Sequence, residues 1–350
     1  MFRTPRTRTH RIGGRIAATA LVLSATITAG SIATSAAAPR SATGSAFTLV
    51  GSDPGAAAQP TARGKAIVDL QAHGGRIYTG YGDYDANTGP IAVSPYTPGA
   101  GFTTEFVADT EAIYNYREID GQLVAPSTDP KRTADFSTGG PWEGHSPLGA
   151  YHVFDTASLG AGDRWMVGSQ GMDAVAWRST DGGVTWHVAL RVGSQHPEHG
   201  DFARFYFAGV LDGKLYVQAS DAIFGIHPGS HVFDGSQWSD GPSVVGRRGN
   251  GFRPVEFNGA LYFQTLGQGV LDEIRRFDGR RTASIGLGYD AEVVGNQLLV
   301  LTDKGEVRST LDGKQWRTIA TAPQGARSVT VLDGHVYVGT TAGQLWKFAI

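Results

Sequence analysis

Apolar and polar residues alternate along this chain in short runs, and one phrase recurs: glycine, a variable residue, then an apolar β-rich stretch. It reads Gly75-Arg76-Ile77-Tyr78, Gly121-Gln122-Leu123-Val124, Gly213-Lys214-Leu215-Tyr216, Gly259-Ala260-Leu261-Tyr262, Gly295-Asn296-Gln297-Leu298 and Gly334-His335-Val336-Tyr337. A looser copy is Gly162-Asp163-Arg164-Trp165. Another short apolar run precedes each phrase, as in Phe205-Tyr206-Phe207-Ala208-Gly209-Val210, and ends in a turn pair such as Asp212-Gly213. Asp and Gly tolerate positive φ, so the pair predicts a hairpin. A third run follows, as in Gln344-Leu345-Trp346-Lys347-Phe348, and several copies continue through a turn to tryptophan, as in Asp234-Gly235-Ser236-Gln237-Trp238.

Successive anchor glycines lie 46, 41, 51, 46, 36 and 39 residues apart, close to the length of one four-stranded propeller blade. Seven copies predict an all-β chain: a seven-bladed β-propeller of four-stranded antiparallel blades over residues 63–350, with almost no helix. A parallel solenoid is the competing arrangement, but its repeats are usually shorter. The last blade holds three strand-like runs, Ser328 to Leu332, Val336 to Thr340 and Gln344 to Ala349. A blade with an open edge invites other chains, so the spare run Ala46 to Val50 is expected to pair there and close the ring.

The stretch Ser179-Thr180-Asp181-Gly182-Gly183-Val184-Thr185-Trp186 resembles the Asp-box (BNR repeat), Ser-x-Asp-x-Gly-x-Thr-Trp, of sialidase-like propellers. Ser309-Thr310-Leu311-Asp312-Gly313-Lys314-Gln315-Trp316 is a degenerate copy. The resemblance implies a β-turn between the outer two strands of a blade, away from the active-site face. It is nearly silent about chemistry. Sialidases also carry Phe-Arg-Ile-Pro near the propeller start, whereas Gly251-Phe252-Arg253-Pro254 lacks the isoleucine and lies far downstream, so no catalytic residue is carried over.

Residues 1–38 have the order of an export signal. Arg3, Arg6, Arg8, Arg11 and Arg15 precede an apolar run from Ile16 to Ala29 and the small residues Ser35-Ala36-Ala37-Ala38. Threonines interrupt that run, which argues against a retained anchor, and residues 39–62 read as a linker carrying the closing strand. Removal of the signal leaves 25 basic against 32 acidic residues, a net of −7, for a secreted, extracellular chain. That charge argues against nucleic-acid binding, and no other segment reads as a membrane span. With no cysteine and 49 glycines in 350 residues, disulfides, thiolate nucleophiles and cysteine metal sites are excluded and turns are abundant. A monomer is expected.

Candidate chemistry follows from which residues open the innermost strands, because these surround the mouth of a propeller's channel. Tyr114, Tyr206 and Arg327 stand seven residues before an anchor glycine, and Tyr116, His152, Arg204, Arg253 and Asp290 lie nearby. Two long connections, Gly80 to Gly89 and Pro126 to Ser146, are expected to wall the mouth with Asp83, Asp85, Asp129, Lys131, Arg132, Trp142, Glu143 and His145. Asp83-x-Asp85-x-Asn87 has the oxygen spacing of a calcium loop, but its glycine is one place late and no twelfth-position Glu follows. The ordinary alternative is an Asx turn, and no cofactor is expected. His196-Pro197-Glu198-His199 is a weak metal pair because Pro197 opposes a helix.

Two functional classes fit. One is a carbohydrate-active enzyme cleaving acidic, uronate-containing polysaccharide by β-elimination, with His145, His152, Tyr206 and Arg204 catalytic. Arg253, Arg327, Tyr114, Tyr116, Asp83 and Trp142 would then hold substrate, and a glycoside hydrolase would instead use Asp83, Asp85 and Glu143. The other is a noncatalytic propeller that binds glycan or protein through the same tyrosines and tryptophan. The lyase is placed slightly ahead on sequence alone.

Overall fold

All seven anchor glycines take the left-handed backbone that their turns demand, from φ 60° at Gly295 to 81° at Gly162. Asp120, Asp212, Asn258 and Asp333 just before four of them are also left-handed. Two consecutive positive φ values make the tight hairpin whose twist matches its strands.

The structure is a computed structural model describing residues 46–129, 136–138, 141–145, 149–221, 229–246, 249–267 and 270–350. The expected export segment lies outside the described residues. The hairpins grow into antiparallel sheets of four. The first holds Asp69–His73, Arg76–Gly80, Tyr96–Thr97 and Gly101–Phe102, and the second Arg117–Ile119, Gln122–Ala125, Phe136–Thr138 and Gly144–His145. The third is His152–Ser158, Arg164–Gln170, Asp173–Ser179 and His187–Val192, and the fourth Ala203–Leu211, Lys214–Asp221, Gly229–Phe233 and Trp238–Asp240.

The fifth and sixth sets share one long strand, Thr282–Val294, which pairs first with Val270–Phe277 and then with Gln297–Thr302. The last set is Ala326–Leu332, His335–Thr340 and Gln344–Ala349, with Thr48–Ser52 antiparallel on its outer strand. That pairing begins two residues later than the expected Ala46 to Val50, and Phe47 packs on Phe348 at 5.4 Å. Asp53 then caps the short helix Pro54–Ala58 and accepts from Thr79 Oγ1 at 2.6 Å, tying the last set to the first.

One expectation is corrected. Pro126 to Ser146 is not a single loop, because it contains the two outer strands of the second sheet. Short strands with few apolar residues leave little alternation to read there.

The apolar core lies between neighbouring sheets. Trp165 and Val167 of the third pack with Phe205, Leu215 and Val217 of the fourth. Outer turns share one device, a carboxylate capping the backbone N–H groups that follow it. Asp181 does this for Val184 and Thr185, Asp234 for Ser236 and Gln237, and Asp312 for Lys314 and Gln315. Among the described residues no helix is long and apolar enough to cross a membrane.

Candidate functional site at the strand openings

Regular pairing breaks at one place in the innermost strand of five sheets. In the third sheet Val153 and Asp155 have adjacent partners, leaving Phe154 unmatched. The same interruption leaves Tyr206 and Phe207 in the fourth, Arg253 and Pro254 in the fifth, Tyr289 in the sixth and Arg327 in the last. A bulge re-aims the side chain it frees. Phe154, Tyr206, Arg253, Tyr289 and Arg327 accordingly line one cavity of about 660 Å³, together with Arg63, Val68, Tyr84, Tyr114, Asn250, Phe252, Gln264 and Asp272. Every sheet, or the segment leading into it, supplies at least one wall residue.

Behind the bulges lies a buried ionic layer. Asp155 is fully buried and receives Arg117 on both oxygens, at 2.9 and 3.0 Å, and Asn115 Nδ2 at 2.7 Å. Its Oδ2 also accepts from the backbone N–H of Ala208 in the next sheet at 2.9 Å. Asp69 does the same for Tyr116 N and Asp290 for Val329 N, both at 2.8 Å. Arg117 reaches across to Pro254 O at 2.7 Å. Arg253, held at φ 52°, donates to Val68 O, to Tyr289 O at 2.7 Å and to Gln264 at 2.8 Å. It also lies 3.1 Å from Asp290 and 3.4 Å from Asp69. Burial raises the Asp69 and Asp290 carboxyls, with Arg253 pulling the other way, and burial with Asp290 beside it raises Glu292 well above the usual range.

Arg253 belongs to this layer as well as to the cavity wall. Its donors tie the first, fifth and sixth sheets together, and its partners lie up to 185 residues away in sequence.

The structure brings His152, Arg204 and Tyr206 together. Arg204 donates to His152 Nε2 at 2.9 Å and stands 3.5 Å from the Tyr206 hydroxyl, with its guanidinium over Phe202 at 4.5 Å and Phe154 at 5.6 Å. His152 Nδ1 is 3.6 Å from Asp129 Oδ1. Burial, reinforced by the Arg204 charge, lowers the imidazole to about 3, so it is neutral and its Nε2 lone pair is occupied. Tyr206 is raised by burial, with Arg204 opposing. Tyr114 donates to Gly82 O at 3.0 Å and meets Tyr84 edge to face.

Other candidates are placed elsewhere. Tyr116 is buried against Tyr78 at 5.7 Å in the core between the first two sheets, because its segment is not a regular ladder and the alternation rule fails there. Trp142 lies in the turn between the outer strands of the second sheet, stacked on Phe106 at 5.8 Å, and is not a cavity residue. Glu143 shares that turn and is exposed. The side chain of His145, and Lys131 and Arg132 entirely, lie outside the described residues. Asp83 accepts from Thr61 Oγ1 at 2.7 Å and lies 3.8 Å from Arg63 Nε, and Asp85 pairs with the same arginine. Among the described residues no group of three or more His, Asp or Glu is gathered to hold a metal ion. Sequence reading passed over Asp272, Tyr289 and Phe252. Phe252 and Val68 carry the signal that found Tyr114, since both stand seven residues before an anchor glycine.

Neutral burial of His152 has a measurable consequence. The unfolded imidazole binds a proton below its ordinary pKa of 6.5 while the folded one does not until about 3, so folding stability falls as pH drops through that window. The stability gap between the wild type and H152Q, read by urea unfolding, is expected to narrow by about 3 kcal/mol between pH 7 and pH 4. A gap independent of pH would contradict a neutral buried His152.

The backbone superposes on solved β-propellers. Catalytically inactive virginiamycin B lyase from Staphylococcus aureus with quinupristin matches with a TM-score of 0.56 at 10% identity, over 87% of this chain and 99% of that one. YCF48 from Cyanidioschyzon merolae matches at 0.53 and 13% identity, over 87% and 99%. A GH74 xyloglucanase from Xanthomonas campestris matches at 0.50 and 14%, over 80% of this chain and 52% of its own. No family model and no curated protein matches the sequence. Identities this low carry fold and not activity. The chain therefore shares the β-propeller fold with these proteins.

Proposed function

We propose that the chain is an exported propeller of seven blades, closed into a ring by Thr48–Ser52, that binds an acidic carbohydrate in the cavity at its strand openings. The observation that carries this is the wall itself: Tyr84, Tyr114, Phe154, Tyr206, Phe252 and Tyr289 offer ring faces, while Arg327 offers positive charge, with Arg204 behind Tyr206 and Phe154. Ring faces stack on the apolar faces of sugars, and guanidinium groups match carboxylates. Binding is placed ahead of elimination because the imidazole of His152, one of the residues expected to share proton transfer, is a weak base whose Nε2 already accepts from Arg204.

Elimination stands as the second reading, favoured by the Tyr206 hydroxyl beside the Arg204 cation. There the cation would neutralise a uronate carboxylate and Tyr206 would carry the proton.

Calorimetry with oligogalacturonates against neutral galactose oligomers of equal length tests the binding. Selective binding of the acidic series is expected, with at least about tenfold loss in Y206A/Y289A as two stacking faces go. Equal or absent binding of the two series would overturn it. Ultraviolet absorbance of the same mixtures distinguishes the readings, since only elimination creates an unsaturated uronate.

A further inference from the structure

We infer that Arg327, on the cavity wall, and Arg204, behind the wall residues Tyr206 and Phe154, are two separate anion receptors, so that the ligand of this cavity carries at least two anionic groups on one body. This deepens the acidic-ligand reading and rests on it for the carbohydrate body, but not for the two charges.

Many arginines of the described residues are held by carboxylates. Arg63 pairs with Asp85, Arg117 with Asp155, Arg164 with Asp120, Arg178 with Asp163 and Arg253 with Asp69 and Asp290. Arg204 and Arg327 make no ion pair with any carboxylate of the described residues. Both guanidinium planes are nonetheless fixed, Arg204 over Phe202 and Phe154 and Arg327 over the Tyr289 ring at 4.0 Å. Stacking holds a planar cation in place without consuming its in-plane donors.

Arg204 Nε is buried with no hydrogen-bond partner, and the contacts of its terminal nitrogens go to neutral acceptors, His152 Nε2 and the Tyr206 hydroxyl. Arg327 gives one donor to Ala326 O at 2.9 Å. A half-buried cation with no counter-ion is costly, and an arriving anion offsets that cost. Each has one acid close enough to feel its charge but beyond ion-pair reach, Asp129 for Arg204 and Asp272 for Arg327, and burial raises both carboxyls. The two arginines belong to the fourth and last sheets, three places apart in chain order, and the cavity takes Tyr206 from the one and Arg327 from the other. His152 is a positioning residue: its neutral Nε2 accepts one Arg204 donor and sets the direction of the others.

The test uses the full chain with mono-, di- and trigalacturonate and with sulfate as a bare anion. Digalacturonate is expected to bind at least about tenfold more tightly than the monomer, because the second carboxylate binds at high effective concentration. R204Q and R327Q should each abolish that gain. H152F should behave like R204Q, whereas H152Q, whose amide oxygen also accepts, should retain the gain. A gain that survives R204Q or R327Q overturns the assignment, and a gain that survives H152F overturns the positioning role. If no uronate binds the wild type, the carbohydrate reading fails alone, and sulfate titration followed by nitrogen NMR of the arginine side chains decides the receptors. Shifts at both Arg204 and Arg327 support them, and no shift at either overturns them.

Discussion

Replacing Asp155 with alanine is expected to destabilise the chain by about 5 kcal/mol and to lower the melting temperature by roughly 10 °C or more. The carboxylate is fully buried and accepts from Arg117 twice, from Asn115, from Thr156 N and from Ala208 N. Its removal strands the buried Arg117 cation, which alone costs about 3–5 kcal/mol, and leaves further donors unsatisfied at about 1–3 kcal/mol each before relaxation. D155N keeps the shape and one acceptor oxygen, so its loss should be smaller. Chemical denaturation of both variants checks this, and a D155A protein within 1–2 kcal/mol of the wild type would show that the layer is not what joins the second, third and fourth sheets.

Deleting residues 39–52 is expected to lower the melting temperature by roughly 5–10 °C and to make the protein self-associate. The deletion removes the whole ladder on Gln344–Ala349 and the Phe47 contact with Phe348. It leaves a long outer strand with unpaired N–H and C=O groups, which is a template for another chain. A synthetic peptide covering residues 46–52, added in excess, should restore part of the lost stability by mass action. Scanning calorimetry with light scattering reads both effects. An unchanged melting curve in the deleted protein would mean that the pairing contributes nothing to stability.

The two expectations depend on different physics. Asp155 acts in the buried layer behind the strand openings, where charges are dehydrated and each lost partner is costly. Thr48–Ser52 acts at the periphery, where backbone pairing joins segments almost 300 residues apart.

Architecture was legible in this sequence because its causes are local. Apolar alternation specifies which face of a strand is buried, and Asp-Gly or Asn-Gly specifies a left-handed turn, so Asp212-Gly213 and Asn258-Gly259 announce hairpins without reference to distant residues. Part of the cavity was legible for the same reason. A constant offset from the anchor glycine picked out Tyr114, Tyr206 and Arg327, because each hairpin sets the strand length leading back to its opening. The outer strands of the second sheet escaped notice because they are short and carry little alternation.

Tertiary structure alone decided what each of those residues does. Arg253 and Arg327 look alike in sequence, since both open an innermost strand. Asp69 from the first sheet and Asp290 from the sixth converge on Arg253 and consume it, while no carboxylate of the described residues reaches Arg327. Tyr114 and Tyr116 would share a face in a regular strand, yet Asp69 captures the Tyr116 N–H and the ring is buried beside Tyr78. His152 is a candidate for proton transfer by sequence, and in the fold Arg204 occupies its Nε2. Local pattern determines where a strand begins and turns, because those energies arise within a few residues. Whether a side chain is spent or available depends on partners that only the assembled sheets bring within hydrogen-bond distance.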